Sequence, residues 1–259
     1  MRNERRIPLA GLYNLRDLGG IGRVSAWRIW RADDPAAIGR QGVAHLHELG
    51  LRAVIDLREP GEAKGASHLY GEAVQYWNAP LFGGLNLSAP EIVSADDPLL
   101  ALYLRALTDS AGRFVQALRL LAQAPDGAVL IHCTVGKDRT GMLTALLLRL
   151  AGASDAEIVA DYTETGRHIG PVLDRLRDRA AAQKWDLALL SRYWRSEAET
   201  MHGFLAALDD RHGGADGFLT QAGLTPAELD TLRHRLLRND EKTPLAAVAS
   251  GPPFPTTET

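Results

Sequence analysis

Short runs of apolar residues, each bounded by turn residues, mark predicted strands in the N-terminal half of the chain. The runs at 51–57 (LRAVIDL) and 128–131 (AVLI) are typical of strands that a parallel sheet buries on both faces, and 73–81 is a third candidate. Residues 24–32 alternate between apolar and polar side chains, which predicts a half-buried strand. Together these runs predict a sheet.

Helical spacing of apolar residues fills the rest of the sequence. Between the strands, helices are predicted at 38–49, 99–107, 112–124 and 142–150, the last so apolar that it must pack against the sheet. Beyond residue 152 the patterns are helical only, at 155–162, 172–182, 197–210 and 226–238. Two helix starts are marked, by a capping-box spacing of Ser154 with Glu157 and by Thr225 before Pro226. The predicted fold class is α/β, a central and mainly parallel sheet flanked by helices, with a helical C-terminal half.

Length and composition favour one domain. The chain has 259 residues, of which 46% are hydrophobic and 24% charged, enough apolar side chain for a sizeable core. Since no linker rich in proline or serine divides it, we predict a single domain over 1–238 and a disordered tail over 239–259. The stretch 163–200 contains glycine, proline, charged residues and aromatic residues that do not share one buried face. A helical lid over a cleft is therefore predicted within it.

Charge and cysteine content narrow the class of function. The net charge is −3 and no basic cluster stands out, so a nucleic-acid partner is not expected. No uncharged apolar run reaches the length of about 18 residues that an integral membrane span needs, and the charged N-terminus does not resemble a secretory signal. With Cys133 as the only cysteine, an internal disulfide is excluded and a cytoplasmic protein is expected, although secretion without such a signal stays open.

The chemistry is concentrated in the run from His132 to Gly141, HCTVGKDRTG, between the last predicted strand and the apolar helix at 142–150. A loop in this position directs backbone N–H groups into one concavity at a helix N-terminus, where the helix dipole favours a bound phosphate. The same field stabilises a thiolate, so Cys133 is a candidate nucleophile. Six residues later, the planar guanidinium of Arg139 can hold two phosphoryl oxygens.

The spacing of Cys133 and Arg139 fits the C-x5-R phosphate loop of the protein tyrosine phosphatase superfamily. HCTVGKDRTG resembles its bacterial HCxxGKDRTG branch, which includes atypical dual-specificity and phosphoinositide phosphatases. Three further stretches resemble elements of the same branch: NLRDLGG at 14–20, DLR at 56–58, and the closing helices at 213–237. The resemblance runs from about residue 14 to residue 238 and is weakest over 163–200.

This resemblance implies the cysteine-dependent phosphatase fold and hydrolysis of phosphomonoesters in two steps, with no metal and no other cofactor. Cys133 would attack phosphorus to give a cysteinyl-phosphate, which water then hydrolyses. The implied partner is a phosphorylated substrate: phosphotyrosine in proteins, with phosphoserine, phosphothreonine and phosphoinositides left open. The residues expected to bind the phosphate are Thr134, Val135, Gly136, Lys137, Asp138, Arg139 and Thr140. The alternative is an inactive module that captures phosphorylated partners, and the oligomeric state is not indicated.

The general acid that protonates the leaving group has more than one candidate. Asp138 lies beside the bound anion, whose negative charge favours a protonated carboxyl, so it is the first choice. Many relatives outside this branch use an aspartate on a separate upstream loop, for which Asp96 and Asp97 are the candidates.

Five further residues receive supporting roles. His132 is expected to orient the loop rather than to act as a base, and Thr140 to hydrogen-bond the departing thiolate while capping the helix. Lys137 is interpreted either as a mobile cation beside the phosphate, typical of loops that act on phosphoinositides, or as a solvated charge. Arg16 and Asp17 are expected to be structural, and the alternative for them is a supporting role for the phosphate loop.

Overall fold

The computed structural model of the chain describes residues 5–82 and 89–237. Its sheet has five strands: β1 (Arg16–Asp17), β2 (Ile29–Ala32), β3 (Leu51–Asp56), β4 (Gln75–Asn78) and β5 (Ala128–His132). Their order is β1-β2-β5-β3-β4, and every neighbouring pair is parallel except β1 with β2. The predicted α/β fold with a mainly parallel sheet is therefore confirmed.

Helices surround this sheet and form the C-terminal half. They are α1 (Gly39–Glu48), α2 (Ser67–Tyr70), α3 (Pro90–Val93), α4 (Pro98–Asp109), α5 (Ala111–Gln123), α6 (Asp138–Leu150), α7 (Asp155–Glu164), α8 (Gly170–Ala182), α9 (Leu187–Arg192), α10 (Ala198–His212), α11 (Gly214–Gln221) and α12 (Pro226–Leu237), with 3-10 turns at Pro35–Ile38 and Thr165–Arg167. Within the described part of the chain, no helix has both the length and the apolar composition needed to cross a bilayer.

The sheet separates two hydrophobic layers of unequal size. Along the inner strands, alternate side chains face opposite layers: Ile55 belongs to the larger cluster and Val54 to the smaller one. The larger layer contains the apolar residues of α4 to α7 and α10 to α12, and the smaller one those of the N-terminal segment, α1 and α2. Helix α6 packs against the sheet on the larger side, as its composition predicted.

The main differences from the predicted elements have simple causes. Only Ile29–Ala32 of the predicted strand 24–32 is a strand, and all four residues are buried rather than half-buried, because β2 lies between β1 and β5 with both faces covered. The spacing of apolar residues did not predict α2, α3 or α9, whereas α11 lies within the closing helices that the resemblance implied. From residue 152 to residue 237 no strand occurs, as expected, and the capping boxes of α7 and α12 are formed. The predicted tail at 239–259 lies outside the described residues.

Candidate active site

The HCTVGKDRTG run forms a strand, loop and helix, as its sequence indicated: β5 ends at His132 and α6 begins at Asp138. The neighbouring strands β2 and β3 run parallel to β5, so their carboxyl ends meet at the same edge of the sheet. In open α/β folds this edge is where ligands bind. The topology thus brings Asp34 and Asp56 to the loop that contains Cys133.

The carbonyl groups of the loop from Cys133 to Gly136 all point into the protein. Their donors are Nδ1 of His132 for Cys133 (3.2 Å), the backbone N–H of Asp34 for Thr134 (3.2 Å), Nδ2 of Asn14 for Val135 and Gly136 (3.1 Å each), and Nη2 of Arg31 for Gly136 (2.6 Å). In a trans peptide the next N–H points the opposite way. The N–H groups of residues 134–137 therefore face the other side, and no acceptor for them lies in the described parts of the chain.

Gly136 is required for this turn. Its φ of +70° lies in the left-handed region, and a Cβ at this position would collide with the carbonyl oxygen of Ala32 and crowd the amide of Asn14. A larger side chain would consequently push the loop away from β2 and break the contacts that turn the carbonyls inward.

A buried ion cluster lies behind the loop. The Asp161 carboxylate binds Nε of Arg16 at 3.0 Å, Nη1 of Arg31 at 2.6 Å and Nη1 of Arg5 at 2.8 Å. Burial alone would raise the pKa of Asp161, but the three guanidiniums hold it far below its usual range. Burial lowers the pKa of Arg16 to about 10 against the attraction of Asp161. Three cations surround one anion, so a net positive charge remains close to the loop.

Through this cluster the NLRDLGG element supports the loop. Arg16 hydrogen-bonds both the backbone and the side-chain oxygen of Asn14, which in turn holds two loop carbonyls. Asp17 instead accepts from the backbone N–H of Trp27 at 2.8 Å, away from these contacts. The structural role of Arg16 is therefore to orient Asn14, and Asn14 in turn orients the loop.

Arg139 is held by a residue that the sequence did not indicate. Its Nη1 and Nη2 atoms lie 2.6 and 3.0 Å from the carboxylate of Glu62, which also accepts from the hydroxyl of Thr134 at 2.7 Å. Burial opposes the Arg139 charge, yet the hydrogen bonds to Glu62 raise the pKa of Arg139 above its ordinary value. The ring of Phe82 lies 5.6 Å from the guanidinium. The arginine is therefore fixed in one position before any substrate arrives.

The three candidate acids occupy different surroundings. The Asp138 side chain is 22% exposed, and its Oδ1 accepts from the Tyr103 hydroxyl at 2.7 Å. Asp97 caps α4 with Oδ1 and accepts from Thr200 with Oδ2, so both of its oxygens are engaged. Asp96 is exposed and lines, together with Asp97, a cavity of about 460 Å³ beside residues 192–200. Of the three, only Asp138 belongs to the phosphate loop.

Lys137 is buried, and its ammonium donates to the backbone carbonyls of Tyr193 at 2.5 Å and Arg195 at 2.6 Å. The mobile cation and the solvated charge suggested by the sequence are both wrong for this side chain. A buried ammonium needs acceptors, and the segment around Arg195 supplies them. The backbone N–H of Lys137 remains part of the predicted phosphate cradle.

His132 and Thr140 are completely buried on either side of the loop. Nδ1 of His132 contacts the Cys133 carbonyl, and Nε2 lies 3.7 Å from Oδ2 of Asp56. Burial lowers the pKa of His132, although the charge of Asp56 opposes this. The Thr140 hydroxyl has no hydrogen-bond partner among the described residues, so its predicted bond to the thiolate stays a prediction.

The DLR element supports the same loop from β3. The Arg58 guanidinium binds Asp56 at 2.7 Å and Asp34 at 2.5 Å, and the backbone N–H of Asp34 in turn holds the Thr134 carbonyl. Four of the residues that the sequence did not single out for the site share one signal, a polar side chain inside an apolar pattern. They are Arg31 in β2, Asp161 and Tyr162 in α7, and Tyr103 in α4.

Comparisons of the sequence with known proteins give one family and three relatives. A sequence profile of the tyrosine phosphatase family matches residues 7–238. A tyrosine-protein phosphatase of Nostoc commune is 33% identical over 199 residues, covering 74% of this chain and 68% of the relative. A putative tyrosine-protein phosphatase of Cupriavidus necator is 28% identical over 222 residues, covering 82% and 81%. A Mycobacterium tuberculosis protein named triple specificity protein phosphatase PtpB is 26% identical over 279 aligned positions, covering 88% and 98%.

Substituting Asp161→Asn should test the ion cluster. The change keeps the side chain's shape but leaves Arg16 and Arg31 without their counter-charge, which should lower the free energy of unfolding by about 3–5 kcal/mol. Asp155→Asn is the control, because this half-exposed residue of the same helix pairs with Arg149 at the surface and should cost less than about 1 kcal/mol. Urea unfolding measures both, and equal losses would contradict the cluster's role.

Acid unfolding should reveal the pairing of Glu62. Burial opposes ionisation, but the hydrogen bond and charge of Arg139 lower the pKa of Glu62 to about 2 from its ordinary 4.5. A depressed carboxyl pKa stabilises the folded state above pH 4.5, and this stabilisation is lost as the pH falls toward 2. The difference in unfolding free energy between the wild type and Glu62→Gln should therefore shrink over that interval. The exposed Glu72→Gln variant should show no such change; a pH-independent difference for Glu62→Gln would refute the pairing.

Proposed function

The chain belongs to the tyrosine phosphatase family and is a phosphatase, and we propose that it removes phosphate from phosphotyrosine in proteins through a phosphate bound covalently to Cys133. One observation carries this proposal: the loop carbonyls are turned inward, which leaves a row of N–H donors beside Cys133 and Arg139. A preorganised set of donors favours a phosphoryl group and the charge that develops on it during transfer.

In the first step the Cys133 thiolate attacks phosphorus and forms a sulfur–phosphorus bond. The bond between phosphorus and the tyrosine oxygen breaks, and that oxygen takes the proton of Asp138. Arg139, held by Glu62, and the loop N–H groups bind the equatorial oxygens. No metal is needed, because these donors balance the phosphoryl charge.

In the second step the Asp138 carboxylate removes a proton from water as the water oxygen attacks phosphorus. The sulfur–phosphorus bond breaks, inorganic phosphate leaves, and Cys133 returns as a thiolate. We assign the Thr140 hydroxyl to this moment, since it is buried at the start of α6 with no protein partner in the described residues and a thiolate needs a donor.

Protein phosphotyrosine is the substrate class that we favour over phosphoinositides. The sequence pointed to phosphoinositides only through Lys137, and its ammonium is occupied by two backbone carbonyls. The name of the Mycobacterium tuberculosis relative supports a range wider than phosphotyrosine, so phosphoserine and phosphothreonine stay secondary candidates.

Two further points belong to the same proposal. Because Lys137 binds the carbonyls of Tyr193 and Arg195, we assign the lid to the segment that contains them. We also place the enzyme in the cytoplasm, where its nucleophilic thiol would stay reduced.

The alternative, an inactive phosphate-binding module, is not favoured, since such a module needs no nucleophile and this chain has Cys133 and Arg139 in the required spacing.

The Cys133→Ser variant should lose at least about a thousand-fold in kcat on a phosphotyrosine peptide, because the serine hydroxyl is a far weaker nucleophile at neutral pH. Wild-type activity should persist in a metal chelator and be inhibited by vanadate. Phosphate release in a malachite green assay measures the rate. Activity lost to the chelator, or retained by the serine variant, would contradict a cysteinyl-phosphate mechanism.

The loss of kcat/KM in the Asp138→Asn variant should depend on the leaving group. An electron-poor phenol leaves as a stable anion, so loss of the acid should matter little for it, whereas tyrosine needs the proton and should lose about a hundred-fold or more in kcat/KM. Measuring kcat/KM for a series of aryl phosphates whose phenols differ in acidity gives this dependence. Asp97→Asn is the comparison variant, and an Asp138→Asn loss that is the same for every phenol would remove Asp138 as the general acid.

A further inference from the structure

Two tyrosine hydroxyls lie in the apolar core behind Asp138. Tyr103 of α4 and Tyr162 of α7 are both buried, and their hydroxyl oxygens are 2.9 Å apart. The Tyr103 hydroxyl is also 2.7 Å from Oδ1 of Asp138. The two rings meet edge to face, with centroids 6.4 Å apart, and Tyr103 packs in the same way on Phe204. The pair thus joins two helices to the first residue of α6.

Packing alone does not account for these hydroxyls. Phenylalanine would fill the same volume without placing polar atoms in the core, where each must find a partner. Burial raises the pKa of both tyrosines well above the ordinary value, so both are neutral and keep their protons. Their only protein acceptor outside the pair, among the described residues, is Asp138.

The direction of the hydrogen bonds follows from counting protons. A tyrosine hydroxyl has one proton. Tyr103 gives its proton to Oδ1 of Asp138, because an ionised carboxylate can only accept. Tyr162 must therefore donate to the oxygen of Tyr103, which strengthens Tyr103 as a donor. The chain of donors runs from Tyr162 through Tyr103 to Asp138.

Oδ1 of Asp138 has a second neighbour, which is a cation. The Lys137 ammonium lies 3.3 Å from this oxygen. Because the Tyr103 hydroxyl donates to Oδ1 and the Lys137 charge lies beside the same oxygen, a proton on the carboxyl is placed on Oδ2. The Asp138 side chain is 22% exposed. Oδ1 accepts from Tyr103, whereas Oδ2 has no hydrogen-bond partner among the described residues and is not a buried atom, so Oδ2 is the oxygen open to a substrate.

We propose that Tyr103, supported by Tyr162, is a positioning residue that keeps Oδ1 of Asp138 unprotonated and directs the acidic proton on Oδ2 toward the leaving group. This inference rests on the proposed role of Asp138 as general acid. In the first step the proton passes from Oδ2 to the tyrosine oxygen of the substrate, and in the second Oδ2 recovers a proton from water. Tyr103 keeps its own proton throughout.

The test is Tyr103→Phe, which removes one hydroxyl and preserves the ring. Across the graded aryl phosphates, kcat/KM should fall roughly ten-fold for phenols as basic as tyrosine and less than about two-fold for electron-poor phenols. Tyr162→Phe is the matched control: it removes a buried hydroxyl of the same pair but leaves the bond from Tyr103 to Asp138, so its loss should be about two-fold at most. Circular dichroism and thermal unfolding establish that both variants are folded.

A double-mutant cycle separates positioning from structure. In the Asp138→Asn background the Tyr103→Phe change should cause no further loss, because the proton that it positions is gone. An equal loss for all phenols, or an undiminished loss in that background, would make Tyr103 a structural residue and overturn the inference. If Asp138→Asn itself shows no leaving-group dependence, the proposed general acid fails. If it shows that dependence and Tyr103→Phe does not, only the present inference fails.

Discussion

The site depends on one constraint: the carbonyl groups of the phosphate loop are hydrogen-bonded into the protein. Asn14 and Arg31 hold the carbonyls of Val135 and Gly136, and peptide geometry then directs the following N–H groups to the opposite side. Without these contacts the loop would present both N–H and carbonyl groups to the ligand, and the carbonyl oxygens would repel a phosphate dianion. The N-terminal segment is therefore part of the active site, although none of its residues is proposed to touch the substrate.

The buried charges follow from the same constraint. Arg31 reaches the loop only because Asp161 compensates its charge within the core. An unpaired guanidinium there would cost several kcal/mol, whereas three guanidiniums around one carboxylate leave a positive field that an incoming phosphate can use. On the side of the loop that faces the substrate, the Glu62 carboxylate binds the Arg139 guanidinium and fixes its position. The enzyme thus has fixed its donors before binding, so little reorganisation accompanies the reaction.

The sequence predicted those features that are encoded locally. The strands, most helices and the C-x5-R loop each lie within one short segment, so periodicity and spacing suffice to identify them. The partners of the loop come from distant segments: Asn14 precedes β1, Glu62 follows β3, and Asp161 lies in α7. A single sequence carries no record of such contacts. The prediction for the environment of Lys137 was wrong for the same reason. The acceptors of its ammonium are backbone carbonyls near residue 195, which no pattern of side chains could reveal.

A crystal structure of the wild-type enzyme with vanadate tests the central claim most directly. The account predicts vanadium bonded to Sγ of Cys133 and vanadate oxygens about 2.7–3.2 Å from the backbone nitrogens of residues 134–139. The carbonyls of Val135 and Gly136 should still be bound to Asn14 and Arg31. A loop with either carbonyl turned toward the vanadate, or vanadate bound away from Cys133, would contradict the claim that inward-turned carbonyls create the phosphate cradle.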